Sequence, residues 1–474
     1  MNLVYNINDR PKFPQMLLFA LQQMLAILAA TIAVPAIIGN GMSQSAALFG
    51  AGAGTLIYQL FTKFKSPVFL GSSFAFISSM FVAFSGAVAA STGYLGLILG
   101  SVMAGLVYVI ISLAVKLFGV SWISKLMPPV VIGPTVAIIG LSLAANAVKD
   151  AMGYSEITAT YVIDLKSFLC LVCALVTLAT VFVCSVYGKK MMKLIPFIIG
   201  ILAGYVVALI FTLIGIAANV DAMKIINFSL FENMSWLPDF AFLKVFSEPM
   251  TFGEFGNFGS YLGTVAVAYV PVAFVVFAEH IADHKNLSSI IGSDLLEEPG
   301  LHRTLLGDGV GSMVGAIFGG CPNTTYGESV GCVAITKNAS VITITTTAIM
   351  AIVASFFAPF VTFLATIPSC VMGGVCISLY GFIAVSGLKM IQKVNLEESK
   401  NLFTVSVILI CGIGGLALKI GEVTLTAIAC SLILGILTNV LLNLKKNKEE
   451  APVVEEAPVA EEAAAPEAEE ATEE

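Results

Sequence analysis

The sequence predicts an all-α polytopic membrane protein of fourteen transmembrane spans in two inverted repeats of seven, and three observations carry that prediction. Of the 474 residues, 58% are hydrophobic and only 11% charged, with a mean hydropathy of +0.96. The apolar stretches run to about twenty residues, the length an α-helix needs to cross the hydrocarbon core, and they lack the alternation of a transmembrane barrel. Two polar, Pro- and Gly-containing interruptions, Ser66-Pro67-Val68-Phe69-Leu70-Gly71-Ser72-Ser73-Phe74 and Cys321-Pro322-Asn323-Thr324-Thr325-Tyr326-Gly327-Glu328, occupy matching places in the third span of each half. Paired breaks of this kind are the sequence pointer to a binding site at the interface of inverted repeats.

From the N-terminus, residues 1–14 are polar and carry Asp9, Arg10 and Lys12, and the first apolar run is too long for a signal-peptide core, so the first span is expected to stay in the protein. Hydropathy then places spans near 15–39, 45–62, 67–84, 94–117, 128–148, 163–186 and 193–217. A polar linker at 219–257 follows. The second half supplies spans near 260–284, 304–319, 321–336, 341–365, 367–388, 401–418 and 423–443. This divides the chain into a first repeat at 1–218, an extracytoplasmic linker at 219–257, a second repeat at 258–446 and a tail at 447–474.

Threaded through these spans, eighteen Lys and Arg fall on the side of the N-terminus, against five (Lys149, Lys166, Lys224, Lys244 and Lys419) on the other. Cytoplasmic connections collect positive charge, so both termini are expected in the cytoplasm of a multi-pass protein of the cell membrane. Seven spans is an odd number, which starts the second half on the opposite side from the first. The tail is almost only Glu, Ala, Pro and Val; it cannot bury enough apolar surface to fold and reads as disordered. It also holds much of the acid behind the net charge of −7, which therefore says little about partners and gives no reason to expect nucleic acid. Nine cysteines lie in apolar runs, and Cys170-Leu171-Val172-Cys173 lacks the context of a redox or metal motif, so no metal or other cofactor is expected.

Ionisable groups inside spans are costly and are functional candidates by default. Glu279 closes the run Phe274-Val275-Val276-Phe277-Ala278, Asp283 lies one turn further on the same helical face, and Glu328 ends the second break. Hydropathy leaves two readings of Glu279, a site residue or the solvated end of its helix. Glu328 has apolar sequence on both sides and follows a Pro and a Gly whose freed backbone groups must be satisfied in a cavity. Carboxylates gathered in a poorly solvated cavity bind protons more readily than in water, from desolvation and mutual repulsion, which suits a proton-coupled step. A carboxylate also accepts from ring N–H groups, while backbone N–H at a helix N-terminus donates to carbonyl oxygens. The arrangement suits a flat ligand bearing both.

These residues resemble the nucleobase/ascorbate transporter family, also called nucleobase:cation symporter-2, and within it the bacterial uracil permeases. The resemblance spans nearly the whole chain except the tail. It is carried by Leu70-Gly71-Ser72-Ser73-Phe74-Ala75-Phe76-Ile77, Ala278-Glu279-His280, Asp294-Leu295-Leu296, Pro299-Gly300-Leu301-His302-Arg303 and Pro322 through Glu328. The family signature, Asn-x-Gly-x-x-x-x-Thr-basic, appears as Ser329-Val330-Gly331 through Thr336-Lys337, with Ser329 in place of its usual Asn.

The resemblance implies short antiparallel strands in the broken spans 3 and 10, a core domain of spans 1–4 and 8–11, and a gate domain of spans 5–7 and 12–14. It implies Glu279 and Glu328 as acceptors for the uracil ring, backbone N–H groups of Phe74 and Gly327 as donors, and Tyr326 and Tyr380 near the pocket. Without it, Phe74 and Tyr380 read as ordinary packing aromatics. The implied activity is proton-coupled uptake of uracil by alternating access, with protons carried by Glu279, Asp283 or Glu328, uracil, protons and the lipid bilayer as partners, and a homodimer as in the family. A purine or xanthine permease is the nearest alternative. Anion transporters share the seven-plus-seven architecture but need a cationic site, whereas the intramembrane charges here are acidic. An enzyme is not expected, because no nucleophile–base or metal-ligand set appears around His280, His284 and His302.

Two departures from the family pattern stand out. Where members can carry a His four residues after the span-8 Glu, this chain has Asp283 followed by His284. Asp283 could take its place, His284 could approach from a rotated helix, or both could mark a solvated helix end. In span 1, Gln23 stands where relatives often have His. Gly307-Asp308-Gly309-Val310-Gly311 resembles a phosphate loop but follows no strand, and its small residues suit close helix packing. His302 and Arg303 read as loop or interface residues.

Overall fold

The computed structural model describes residues 3–119, 128–152, 154–155, 160–161, 163–189, 191–232, 234–420 and 423–443. The acidic tail at 447–474 lies outside the described residues. Among the described residues the helices longer than one turn are α1 (Phe13–Ile38), α2 (Gln44–Phe61), α3 (Ile77–Ala83), α4 (Ala90–Phe118), α5 (Pro129–Ala151), α6 (Leu165–Tyr187), α7 (Pro196–Ala217), α8 (Phe258–Ile291), α9 (Leu301–Gly319), α10 (Gly327–Thr336), α11 (Val341–Ser355), α12 (Ala358–Ala365), α13 (Ser369–Ile391), α14 (Ser399–Ile413) and α15 (Ala427–Asn443). Their starts follow local chemistry. Pro14, Pro129 and Pro196 stand in first turns, where no N–H is needed. Ser43, Asp164 and Asn257 cap α2, α6 and α8 by accepting from the backbone N–H of Ala46, Ser167 and Ser260 at 3.2, 2.7 and 3.0 Å.

Among the described residues, α1, α4, α5, α6, α7, α8 and α13 are each long and apolar enough to cross a bilayer, and α11 with α12 meets the same measure as a pair bent by 82°. The fold is that of a mostly helical, polytopic membrane protein. The remaining helices are shorter or richer in Gly and polar residues, so length and apolarity establish fewer spans than the fourteen expected. The helix expected at 260–284 runs on to Ile291 and stops at Gly292, in the left-handed region at φ 69°. Hydropathy underestimates it because its last two turns are polar, with Lys285, Asn286 and Ser288.

Small residues let the helices that carry the breaks approach closely. An added Cβ on Gly54 of α2 would come 2.7 Å from the carbonyl O of Gly311 on α9, and one on Gly105 of α4 would come 2.7 Å from that of Gly309. The Gly307–Gly311 segment is thus a helix–helix seam inside α9. On the opposite flank α5 packs along α13, and α6 against α7 and α13.

Among the described residues, six short strands form three antiparallel pairs. β1 (Leu70–Ser72) pairs with β4 (Asn323–Thr325) in the register Leu70↔Thr325, Gly71↔Thr324, Ser72↔Asn323. The other two are local ribbons, β2 (Tyr154–Ser155) with β3 (Thr160–Tyr161) and β5 (Leu418–Ile420) with β6 (Val423–Leu425). The two polar breaks therefore pair with each other. Buried side chains complete the hydrogen bonding there: Thr55 Oγ1 accepts from the Leu70 N–H at 2.9 Å, and Asn323 Nδ2 donates to the Gly50 carbonyl at 2.9 Å.

Candidate substrate cavity at the paired breaks

Each strand of the β1–β4 pair leads into a helix N-terminus. A 3₁₀ turn at Phe74–Phe76 opens onto α3, and Gly327 is the first residue of α10 behind Tyr326. The first-turn N–H groups of a helix have no intrahelical acceptor, so the backbone N–H groups of Phe74 and Gly327 stand where an incoming acceptor could meet them.

A cavity of about 300 Å³ lies against these two ends. It is lined by Phe74, Glu279, Asp283, Tyr326, Gly327 and Glu328, together with Thr324 and Thr325 of β4, Val136 and Ile139 of α5, and Leu379, Phe382, Ile383, Ser386 and Met390 of α13. That volume, mostly apolar with a few convergent polar groups, suits a small ring compound. Glu279 sits in the middle of α8, three turns before its end, and its side chain is exposed to the cavity, so its helix-end reading does not hold. Asp283 is half-buried, and its Oδ2 accepts from Thr325 Oγ1 at 2.8 Å. It is Asp283 that faces the cavity; His284 is fully buried on another face of α8. Glu328 lies in the first turn of α10, where the helix dipole favours negative charge.

The aromatic residues take different places. Tyr326 is buried and donates through Oη to the Ser72 carbonyl at 2.9 Å, closing β1 onto α10. Tyr380 is set back from the wall: its ring meets that of Phe74 edge-on at 6.1 Å, and it lines a neighbouring space of about 130 Å³ behind α5 and α13. Two of the positions noted as departing from the family pattern, Gln23 and Ser329, meet. Gln23 Nε2 donates to Ser329 Oγ at 2.5 Å, and Ser329 Oγ also accepts from the Phe69 N–H at 3.2 Å. His302 and Arg303 serve packing, as the Ser112 hydroxyl donates to the His302 carbonyl at 2.5 Å and the Arg303 guanidinium to that of Phe61 at 3.2 Å.

One group escaped the sequence reading. Asp308 is 1% exposed inside α9, and its Oδ2 lies 2.7 Å from Nδ1 of the fully buried His280. An acid within a predicted span was the available signal, masked by the glycines around it.

Comparison with known proteins agrees with this architecture. The chain is 40% identical to the uracil permease of Bacillus caldolyticus over 442 residues, covering 93% of this chain and 94% of that one. It is 37% identical to the uracil permease of Bacillus subtilis (strain 168), covering 91% and 93%, and 34% identical to the uracil permease of Escherichia coli (strain K12), covering 91% and 92%. Among solved structures, the transmembrane domain of a cyanobacterium bicarbonate transporter, BicA, shares the fold at a TM-score of 0.62 and 18% identity, covering 92% of this chain and 100% of that one. The Permease family model matches residues 14–421, a stretch that holds every cavity residue named above, and the chain therefore belongs to the permease family, as a transporter and not an enzyme.

Proposed function

We propose that this protein imports uracil across the cytoplasmic membrane together with protons, by alternating access. The observation that carries the reading is the gathering of Glu279, Asp283 and Glu328 with the first-turn N–H groups of Phe74 and Gly327 around one cavity, in a permease whose relatives at 34 to 40% identity are uracil permeases. Uracil carries two ring N–H donors and two carbonyl acceptors. Glu279 and Glu328 accept from the ring N–H groups, and the two backbone N–H groups donate to the carbonyls. Tyr326 fixes the strand end, and Tyr380 backs Phe74.

A carboxylate that takes a proton loses its charge, and a neutral acid is far cheaper to move through a changing dielectric than an ion. Asp283, Glu279 and Glu328 are the groups that take it. The movement is that of a core built of spans 1–4 and 8–11 against a gate of spans 5–7 and 12–14. In this reading 1–218 and 258–446 are inverted repeats of seven spans, joined by the extracytoplasmic linker at 219–257, with both termini in the cytoplasm. The matching of a strand followed by a short helix in each break supports the repeat, and the cavity walls on α5 and α13, facing α8 and α10, support the division into core and gate. The homodimer of the resembling family is part of the same reading.

The test is uptake of labelled uracil in cells lacking their own uracil transport, with and without a protonophore. Protonophore-sensitive uptake above empty vector is expected. No uptake, with the protein shown in the membrane, overturns the substrate assignment, and excess unlabelled xanthine then asks whether purines compete. The likeness to an anion transporter is one of fold alone, and among the described residues the cavity lining carries no Lys or Arg.

A further inference from the structure

The helix that brings Glu279 and Asp283 to the cavity carries a second polar row. His280 and His284, one residue further along and so about 100° round α8, point into the bundle, where both are fully buried. Their rings stack at 4.0 Å.

The placement of hydrogens follows from the donors available. His284 Nδ1 lies 2.8 Å from the His280 carbonyl, which can only accept, so Nδ1 bears the hydrogen. Its Nε2 then accepts from Tyr58 Oη at 2.7 Å, and Tyr58 Oη accepts from Ser66 Oγ at 2.7 Å. That chain is complete with a neutral His284.

His280 differs. Its Nδ1 lies 2.7 Å from Asp308 Oδ2 and its Nε2 3.0 Å from Thr304 Oγ1, which is also 3.1 Å from the Leu301 carbonyl. The Thr304 hydroxyl has one hydrogen. Pointed at Leu301, it leaves Nε2 to donate, and the contact between His280 Nδ1 and Asp308 Oδ2 then needs a proton of its own; the pair is neutral overall. Turned to Nε2, it leaves Nδ1–H donating to an ionised Asp308, and the pair carries one negative charge. The two states differ by one proton and one hydroxyl rotation, with no heavy atom displaced.

The other oxygen, Asp308 Oδ1, is buried without a hydrogen-bond partner among the described residues, and so is Tyr108 Oη. Both residues line a void of about 10 Å³ with Ser312 and Thr324. This is room for one water, and two orphaned polar atoms supply partners for it. Thr324 also lines the 300 Å³ cavity. The titratable groups around the pair are Tyr58 of α2, Tyr108 of α4 and His284 of α8, and Asp308 lies within electrostatic reach of Glu279 and Asp283 on the other face of α8.

We propose that Asp308 and His280 form a buried proton-binding site behind the cavity carboxylates, loaded and emptied through one water in the void beside Tyr108. The proton enters from the cavity side past Thr324 and leaves by the same route, so the step needs no other reactant. The site stands on this geometry; only its part in transport rests on the proton-coupled reading above.

Infrared difference spectra of the purified full-length protein between pH 9 and pH 5 test it. The unaltered protein is expected to show a carboxylic or imidazolium band that persists in Glu279→Gln and is lost in Asp308→Asn. Tyr108→Phe keeps that band but shifts it, because the water loses a partner. An Asp308→Asn spectrum identical to that of the unaltered protein overturns the site; where Asp308→Asn does not fold, an unshifted band in Tyr108→Phe overturns it. In proteoliposomes, uracil-driven proton influx is expected to fall roughly tenfold or more in Asp308→Asn, and an undiminished influx removes the site from transport. Absence of any uracil-driven influx in the unaltered protein sinks the proton-coupled reading instead and leaves the infrared result standing.

Discussion

Gln23 of α1 and Ser329 of α10 are joined by a hydrogen bond of 2.5 Å in a buried position next to the first break. Ser329 Oγ accepts from Gln23 and from the Phe69 N–H together, so α1, α10 and the first break are tied into one unit. Removing either leaves a buried polar group without its partner. Gln23→Ala and Ser329→Ala are each expected to lower the melting temperature of the purified protein, and a double-mutant cycle is expected to return a coupling of about 1 kcal/mol. Strictly additive effects would show the contact to be idle.

The hydrogen bond from Thr325 to Asp283 orients a cavity acid from β4. Thr325→Val keeps the shape and removes the donor. Bonds to charged groups contribute about 1.5–3 kcal/mol, so the apparent affinity for uracil is expected to weaken by roughly tenfold or more, while Thr325→Ser retains it. Concentration-dependent uptake decides; a Thr325→Val protein with unchanged half-saturation makes the contact irrelevant to transport.

Gly71 has no side chain because Tyr326 occupies the space one would need: an added Cβ falls on its phenol ring. That ring cannot yield easily, since its hydroxyl holds the Ser72 carbonyl. Forcing extra volume into a packed site costs about 1–3 kcal/mol. Gly71→Ala is therefore expected to cut uptake at least as severely as Tyr326→Phe, and a fully active Gly71→Ala protein at normal abundance would count against a fixed tyrosine.

Along the α2–α9 seam the reasoning concerns stability. Gly54→Leu has no room against the Gly311 backbone and is expected to lower the melting temperature and the amount of folded protein in detergent, by about 1–3 kcal/mol. Gly381→Ala, where an added Cβ meets nothing within 4 Å, serves as the control and is expected to melt as the unaltered protein does.

Asp164 stands just ahead of the apolar helix α6 and caps it, and the Ser167 backbone N–H holds its carboxyl below the usual aspartate range. A group lowered in the folded state adds stability that is full above its unfolded value, about 3.9, and is lost as pH falls through the folded one. The difference in melting temperature between the unaltered protein and Asp164→Ala is expected to be constant from pH 7 to about pH 5 and to shrink below about pH 4. A difference that grows on acidification would exclude the cap.

Much of this molecule was legible in its sequence because a bilayer restricts the choices. Backbone groups in lipid must bond within a helix or at a protected break, so apolar length and the two Pro- and Gly-containing interruptions locate the helices and the breaks, while the strands at Leu70–Ser72 and Asn323–Thr325 were implied by the family resemblance alone. Phe74, Glu279, Asp283, Tyr326, Gly327 and Glu328 come together around one cavity. The direction of a side chain was harder to read. Asp283 and His284 are neighbours in sequence and face different compartments, and only the packing of α8 against α2 and α9 decides which is which. Asp308 was hidden for a related reason: its flanking glycines belong to a helix seam, so the acid between them read as part of that seam.

The β1–β4 pairing also bears on how the chain is made. Leu70–Ser72 leaves the ribosome long before Asn323–Thr325 exists, and in the interval its edge faces no strand. Thr55 and Ser329 mark the two sides of that interval: Thr55 Oγ1 can hold the Leu70 N–H as soon as α2 is inserted, whereas the Phe69 N–H waits for Ser329. The first half of the protein therefore carries an unfinished edge through most of its synthesis, and its assembly is completed only when the tenth expected span arrives.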